Sequence, residues 1–276
     1  MGILERYYYP PVHFFTLWFS EAMIYNLKDN GFDIPTGSSV LDVGCGLGYH
    51  CQNMLKFGVK ESIGIDISEE TIEMLNSFKT RPIFKKLDIC KDNIGKYIGK
   101  FDIIFSSDVY EHVDDPVLML QNLYKLLKKG GVLSITFPNW QHHGQNQFER
   151  LEEFETKLLS AGFSRVKIEP IEDYGHLYKI FMKLYSVAQL LSDRILSIKR
   201  VDFQGSGMPE SDEFHEMYAY KKIEKLKKYK WLCISLNLTY RIIANLINVL
   251  PPYKIKAGQI EVLGKRIMVF AEKKDV

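Results

Sequence analysis

The chain has little that would tie it to a disulfide framework, a zinc cluster or a polyanionic partner. Its four cysteines, Cys45, Cys51, Cys90 and Cys233, are scattered and form no CxxC pair, so neither a zinc site nor paired disulfides is expected and a reducing compartment is the default. The 36 Lys and Arg nearly cancel the 34 Asp and Glu, leaving a formal net charge of +2; no overall field calls for nucleic acid. The first eleven residues hold Glu5, three tyrosines and two prolines and lack the basic-then-apolar pattern of a signal peptide. There is no low-complexity tract and no internal repeat. Only Trp231–Leu250 approaches bilayer length. Arg241 stands within that run beside Asn237, Asn245 and Asn248, and an arginine mid-span costs about 2.5–3.5 kcal/mol, so spanning is not expected. The lysines at 221, 222, 225, 227, 228 and 230 precede it; they suit a solvated helix face, or peripheral contact with a membrane surface. A cytoplasmic protein is expected, with that contact left open and the oligomeric state undetermined.

What is present is a glycine loop fed by a strand. Val40-Leu41-Asp42-Val43 runs into Gly44-Cys45-Gly46-Leu47-Gly48, and a second strand, Ile63-Gly64-Ile65, ends in Asp66, about 22 residues after Gly44. That is close to the separation between a nucleotide-binding glycine loop and the acid that holds a ribose. Around these two strands, further strands are expected at Pro82–Leu87, Phe101–Phe105, Val132–Phe137, Phe163–Glu169 and Arg266–Ala271. Helices are expected between them: one closing near Asn30-Gly31, Tyr49–Phe57, one capped by Ser68, one opened by Asp114-Asp115-Pro116 and stopped by Gly130-Gly131, and Phe148–Ala161. Short apolar strands alternating with helices define an α/β, doubly wound, Rossmann-like sheet.

The rhythm stops between Ile171 and Gly264. Leu177, Ile180, Phe181, Leu184, Ala188, Leu191 and Ile195 fall on one helical face, and Pro251-Pro252 stop the later apolar run. The expected organisation is an N-terminal helix or flap over 1–34, a cofactor-binding core over 35–170, a largely helical insertion over 171–264 and a last core strand over 265–276. The insertion suits a substrate lid, a membrane-facing surface, a dimer interface or plain packing of helices on the sheet edge.

The loop spacing is GxGxG rather than the dinucleotide GxGxxG, with Tyr49 where a third glycine or alanine would stand. A nicotinamide cofactor is therefore disfavoured. The segments Val40–His50, Gly64–Ser68, Leu87–Ile89, Phe101–Pro116 and Lys129–Pro138 together resemble a class I S-adenosylmethionine-dependent methyltransferase of the small-molecule and glycan group. The resemblance implies a seven-stranded sheet whose last strand is antiparallel, here with the insertion between strands six and seven. It implies that Gly44, Gly46 and Gly48 lie against the methionine and ribose of S-adenosylmethionine, and that Asp42 helps hold the amino end. Asp66 would accept from both ribose hydroxyls, Ile67 pack on adenine, Asp88 accept from the adenine amino group with Ile89 beside it, and Ser106 or Ser107 lie near the methionine amine. Asp66 and Asp88 also read, more plainly, as helix-cap or turn acids.

Two post-strand loops carry groups for acid–base work. Tyr110-Glu111-His112-Val113 is similar to a Glu-His-Val segment common in the family, and Asn139–Gln147 holds His142 and His143. Histidine titrates near neutrality and can accept a proton from an alcohol, so His112 and His143 are the catalytic candidates. Both also read as groups that only order their loops. No metal is expected, because adjacent His142 and His143 cannot easily face one ion. The acceptor class implied is a small molecule or glycan, methylated at a hydroxyl oxygen. A lipid or quinone-type acceptor competes with it, as does a cofactor-binding module without turnover. Base methylation of nucleic acid is not expected, because Ser106-Ser107-Asp108-Val109 stands where an Asn/Asp-Pro-Pro-Tyr segment would be.

Overall fold

The structure, a computed structural model, describes residues 20, 23–77, 80–138, 151–171 and 266–274. All belong to one compact unit, Ser20–Tyr174 with Tyr253–Val276. Residues 1–19 and 21–22 of the expected N-terminal helix or flap, the loop holding His142 and His143, and the helices expected within 171–264 lie outside the described residues, while residues 23–29 are helical, as expected of a helix closing near Asn30-Gly31.

Seven strands form one sheet: β1 Ser39–Val43, β2 Glu61–Asp66, β3 Ile83–Lys86, β4 Phe101–Ser107, β5 Leu127–Pro138, β6 Phe163–Ile171 and β7 Arg266–Lys273. Their order is β3-β2-β1-β4-β5-β7-β6. The pairings of β1 to β5 are parallel, and β7 runs antiparallel to both β5 and β6. The order reverses beside β1, where β2 lies on one side and β4 on the other. In such sheets ligands enter beyond the carboxyl ends of the strands at this reversal, which is where the glycine loop and the loop after β4 emerge.

The intervening helices are α1 Tyr49–Met54, α2 Glu69–Ser77, α3 Pro116–Leu126 and α4 Leu151–Ala161. Their starts follow local chemistry. Thr71 N donates to Ser68 Oγ at 3.1 Å ahead of Glu69 and Glu70, acids favoured in a helix's first turn. Leu118 N donates to Asp115 Oδ1 at 2.9 Å, with Pro116 as the first helical residue. Leu41 and Val43 of β1, Ile104 of β4, Leu133 and Ile135 of β5, Leu123 of α3 and Phe154 of α4 share one buried core.

Some boundaries differ from those expected of the sequence. Gly130 and Gly131 do not stop α3, which ends at Leu126; they lie inside β5. The pairing there skips from Phe101↔Leu127 to Ile103↔Val132, so the glycines serve a bulge. Gly130 has φ 70°, and a Cβ on Gly131 would come within 2.9 Å of Lys128 O. β4 runs through Ser107, so Ser106 and Ser107 belong to the strand rather than following it. α1 is a turn and a half, continued by a 3₁₀ turn over Leu55–Phe57 that ends at Gly58.

Candidate functional site

The glycine loop needs glycine at three positions for different reasons. Gly44, Gly46 and Gly48 have φ of 69°, 48° and 71°, the left-handed region that side chains resist. A Cβ on Gly44 would overlap Val109 Cγ2, and one on Gly48 would lie 2.8 Å from the Phe84 ring. Around Gly46 the space is open, the nearest atom being Gly44 O at 4.0 Å. The loop is fastened at its base: Gly44 N and Cys45 N both donate to Ile65 O, at 2.8 and 3.0 Å, and Gly48 N donates to Cys45 O at 2.7 Å.

Asp66 joins the loop to the next helix. Its Oδ2 accepts from Gly46 N at 3.0 Å and its Oδ1 from Ser68 N at 2.9 Å. A carboxylate offers about four lone-pair sites, so both oxygens keep capacity for a ligand's hydroxyls. Beside it Ile67 is 69% exposed, an apolar side chain left uncovered at the rim. A cleft of about 330 Å³ runs from Gly44, Asp66 and Ile67 to Asp88 and Ile89, with Val109 and His112 also among its lining residues; this is the size of a small-ligand site.

The far wall is tied down as well. Asp88 Oδ1 accepts from Cys90 N at 2.8 Å and Lys91 N at 3.2 Å. Ile89 is buried, and its carbonyl accepts from Asn122 Nδ2 of α3 at 2.8 Å. At the mouth Lys91 Nζ lies 2.9 Å from Asp114 Oδ2 and 3.8 Å from Asp88 Oδ2. Its hydrogen bond with Asp114 raises the lysine's pKa and lowers the aspartate's. A lowered carboxylate favours the fold above the ordinary carboxylate range, and that contribution is lost as pH falls through the lowered value. Burial, then the nearby Asp88, Asp115 and Asp114, push the Cys90 thiol up, away from the thiolate that makes a cysteine reactive.

The structure therefore brings Gly44, Asp66, Ile67, Asp88, Ile89 and His112 to one cleft. His112 ends a 3₁₀ turn over Tyr110–His112; its side chain is 70% exposed, and its Nε2 is 3.9 Å from Oε1 of the buried Glu111. His143 lies outside the described residues. Gly46 and Gly48 do not line the cleft; the first holds Asp66 and the second turns the chain into α1. Asp42, 1% exposed, faces His50 and Cys51 instead of the cleft. Ser106 is fully buried and its Oγ has no hydrogen-bond partner, while Ser107 Oγ is 2.9 Å from Thr136 Oγ1. Among the described residues no cluster of His, Cys, Asp and Glu is arranged to hold a metal ion, and no helix is long and apolar enough to cross a membrane. Sequence reasoning missed Val109, Asn122 and the Lys91–Asp114 pair, since nothing local marks which side chains will meet across two loops.

The cradle fits S-adenosylmethionine. There is an anchored carboxylate with spare lone pairs at Asp66, an uncovered apolar side chain at Ile67 and a second acid at Asp88. A sheet of this order with this cleft at its reversal defines a class I S-adenosylmethionine-dependent methyltransferase. Residues 34–221 match a family described as a methyltransferase domain, and the chain belongs to that family. It is similar to the ubiquinone biosynthesis O-methyltransferase of Pelagibacter ubique, 27% identical over 70% of this chain and 78% of that protein. It is also similar to the tRNA U34 carboxymethyltransferase of Sulfurovum sp., 38% identical over 42% of this chain and spanning 38% of that protein's length. Phosphoethanolamine N-methyltransferase 2 of Haemonchus contortus, solved in complex with S-adenosyl-L-methionine, shares the fold. It has a TM-score of 0.53 at 19% identity, over 92% of this chain and 52% of that one.

Proposed function

We propose that the chain methylates a hydroxyl oxygen on a small molecule or glycan. The observation that carries this reading is the extent of the sequence matches. The tRNA enzyme of Sulfurovum sp. aligns over 42% of this chain, whereas the ubiquinone biosynthesis O-methyltransferase of Pelagibacter ubique aligns over 70% of it. The near-balanced charge supports the same reading, since nucleic-acid binding rests on a basic surface. Bound S-adenosylmethionine supplies a methyl group on a sulfonium, an electrophile that needs no further activation. The protein's part is to hold the acceptor in line and to receive its proton. His112 suits the receipt of the proton, because it lines the cleft and its exposed imidazole faces no cation within the 3₁₀ turn that carries it.

The relative named for ubiquinone biosynthesis favours a second reading, a quinone-type acceptor presented at a membrane. Labelled S-adenosylmethionine offered with simple phenols, sugars, a prenylated phenol in vesicles and bulk tRNA separates these classes. Label in a phenol or sugar supports the first reading, label only in the prenylated phenol the second, and label only in tRNA overturns both. His112→Ala and His143→Ala should bind S-adenosylhomocysteine within about twofold of the parent. At least one should lose about a hundredfold in turnover, the lower end for general base catalysis. Full activity in both variants would remove histidine from the chemistry.

A further inference from the structure

The glycine loop is closed at its base by a buried carboxylate–imidazole contact that the cleft does not contain. Asp42 stands two residues before Gly44 and His50 two residues after Gly48. His50 Nδ1 lies 3.4 Å from Asp42 Oδ1, with both side chains buried. The imidazole is held in a second way: it stacks on Phe105 of β4, ring centroids 5.1 Å apart and planes 2° from parallel. The sheet register puts Phe105 of β4 directly beside Asp42 on one side and Gly64 of β2 on the other, so strand β4 supports the ring next to the carboxylate. The other carboxylate oxygen faces Cys51 Sγ at 4.0 Å. Burial first, then Asp42, raise the pKa of that thiol, so it remains a donor.

Nε2 is buried with no hydrogen-bond partner, so Nδ1 is the ring nitrogen that meets a polar neighbour, the Asp42 carboxylate. Between the two residues lie three glycines with positive φ, whose backbone freedom must be removed before the loop can present Gly46 N to Asp66.

We propose that Asp42 and His50 form a clasp that holds the glycine loop in its cofactor-binding shape. Asp42 then acts on the cofactor through the loop rather than by touching it. Both are positioning residues, and the clasp governs cofactor affinity and leaves the transfer step alone.

The test is a double-mutant cycle read by calorimetric titration with S-adenosylhomocysteine, with kinetics alongside. His50→Phe keeps a flat ring on Phe105 and deletes Nδ1; it should weaken binding about tenfold. The KM for S-adenosylmethionine should rise by the same factor while kcat at saturation stays within about twofold. His50→Asn restores a donor near the Nδ1 position and should recover most of the affinity. His50→Phe with Asp42→Asn should bind no worse than His50→Phe alone, because the uncompensated buried charge is then gone. Wild-type affinity in His50→Phe, a fall in kcat with KM unchanged, no rescue by asparagine, or additive losses in the double variant would each overturn the proposal. The last would mean that Asp42 meets the cofactor directly. If His50→Phe does not fold, His50→Asn and Asp42→Asn are read in the same way: near-parental affinity in the first with weaker binding in the second supports the clasp, and the reverse overturns it.

Discussion

Asp66→Ala should weaken binding of S-adenosylhomocysteine by about a thousandfold. Two losses combine. A carboxylate accepting from two ribose hydroxyls contributes about 1.5–3 kcal/mol for each bond, so its removal alone is worth about two to four powers of ten in affinity. The second loss is internal: Gly46 N and Ser68 N, which donate to the two oxygens at 3.0 and 2.9 Å, lose their acceptor, and the loop loses its tie to α2. Asp66→Asn should do little better. One end of an amide presents N–H₂, which would face either Gly46 N–H or Ser68 N–H, donor against donor. The fold itself should persist, since Asp66 is only half-buried at the end of β2. Calorimetric titration beside a thermal melt checks this. Affinity in Asp66→Ala within about fivefold of the parent would show that the ribose is held elsewhere.

Substituting alanine along the glycine loop should give a graded series in stability, with Gly44→Ala the worst. All three positions carry the cost of a side chain at positive φ, about 1–2 kcal/mol. Gly46→Ala should show that cost alone, since no atom lies closer than 4.0 Å to its Cβ position. Gly48→Ala adds a 2.8 Å approach to the Phe84 ring. Gly44→Ala drives into Val109, which can retreat only by opening the wall of the cleft; overpacking of this kind adds about 1–3 kcal/mol. The sum is a large share of the roughly 5–15 kcal/mol that holds a domain folded. Gly44→Ala with Val109→Ala should regain the steric part and keep the backbone part. Chemical denaturation of the four variants provides the measurement. Equal losses at Gly44 and Gly46, or no recovery with Val109→Ala, would contradict the packing described.

Much of the site could be read from the sequence because it is carried by local chemistry. A glycine that must turn left, an acid that ends a strand, a serine or aspartate that opens a helix each leave a mark within a few residues. Gly44, Gly46, Gly48, Asp66, Ser68 and Asp115 all stand where such marks place them. What was not legible depends on contacts between distant segments. Asp42 carries the same mark as Asp66, yet it turns away from the cleft toward His50. That choice is set by which sheet face position 42 occupies, with Gly64 and Phe105 as its neighbours. The glycine pair at 130–131 read as a helix stop because glycine marks both helix ends and strand bulges. The pairing of β4 with β5 decides between them, and a single segment cannot show it.

The most direct test of the central claim is a crystal structure of the protein with S-adenosylhomocysteine. The ligand should lie in the cleft between the glycine loop and the loop after β3. Its ribose hydroxyls should fall on Asp66, its adenine should lie against Ile67 with the amino group toward Asp88, and its sulfur should face the rim that bears His112. A ligand bound outside this cleft, or one whose ribose does not touch Asp66, would contradict the assignment of these residues as the cofactor site.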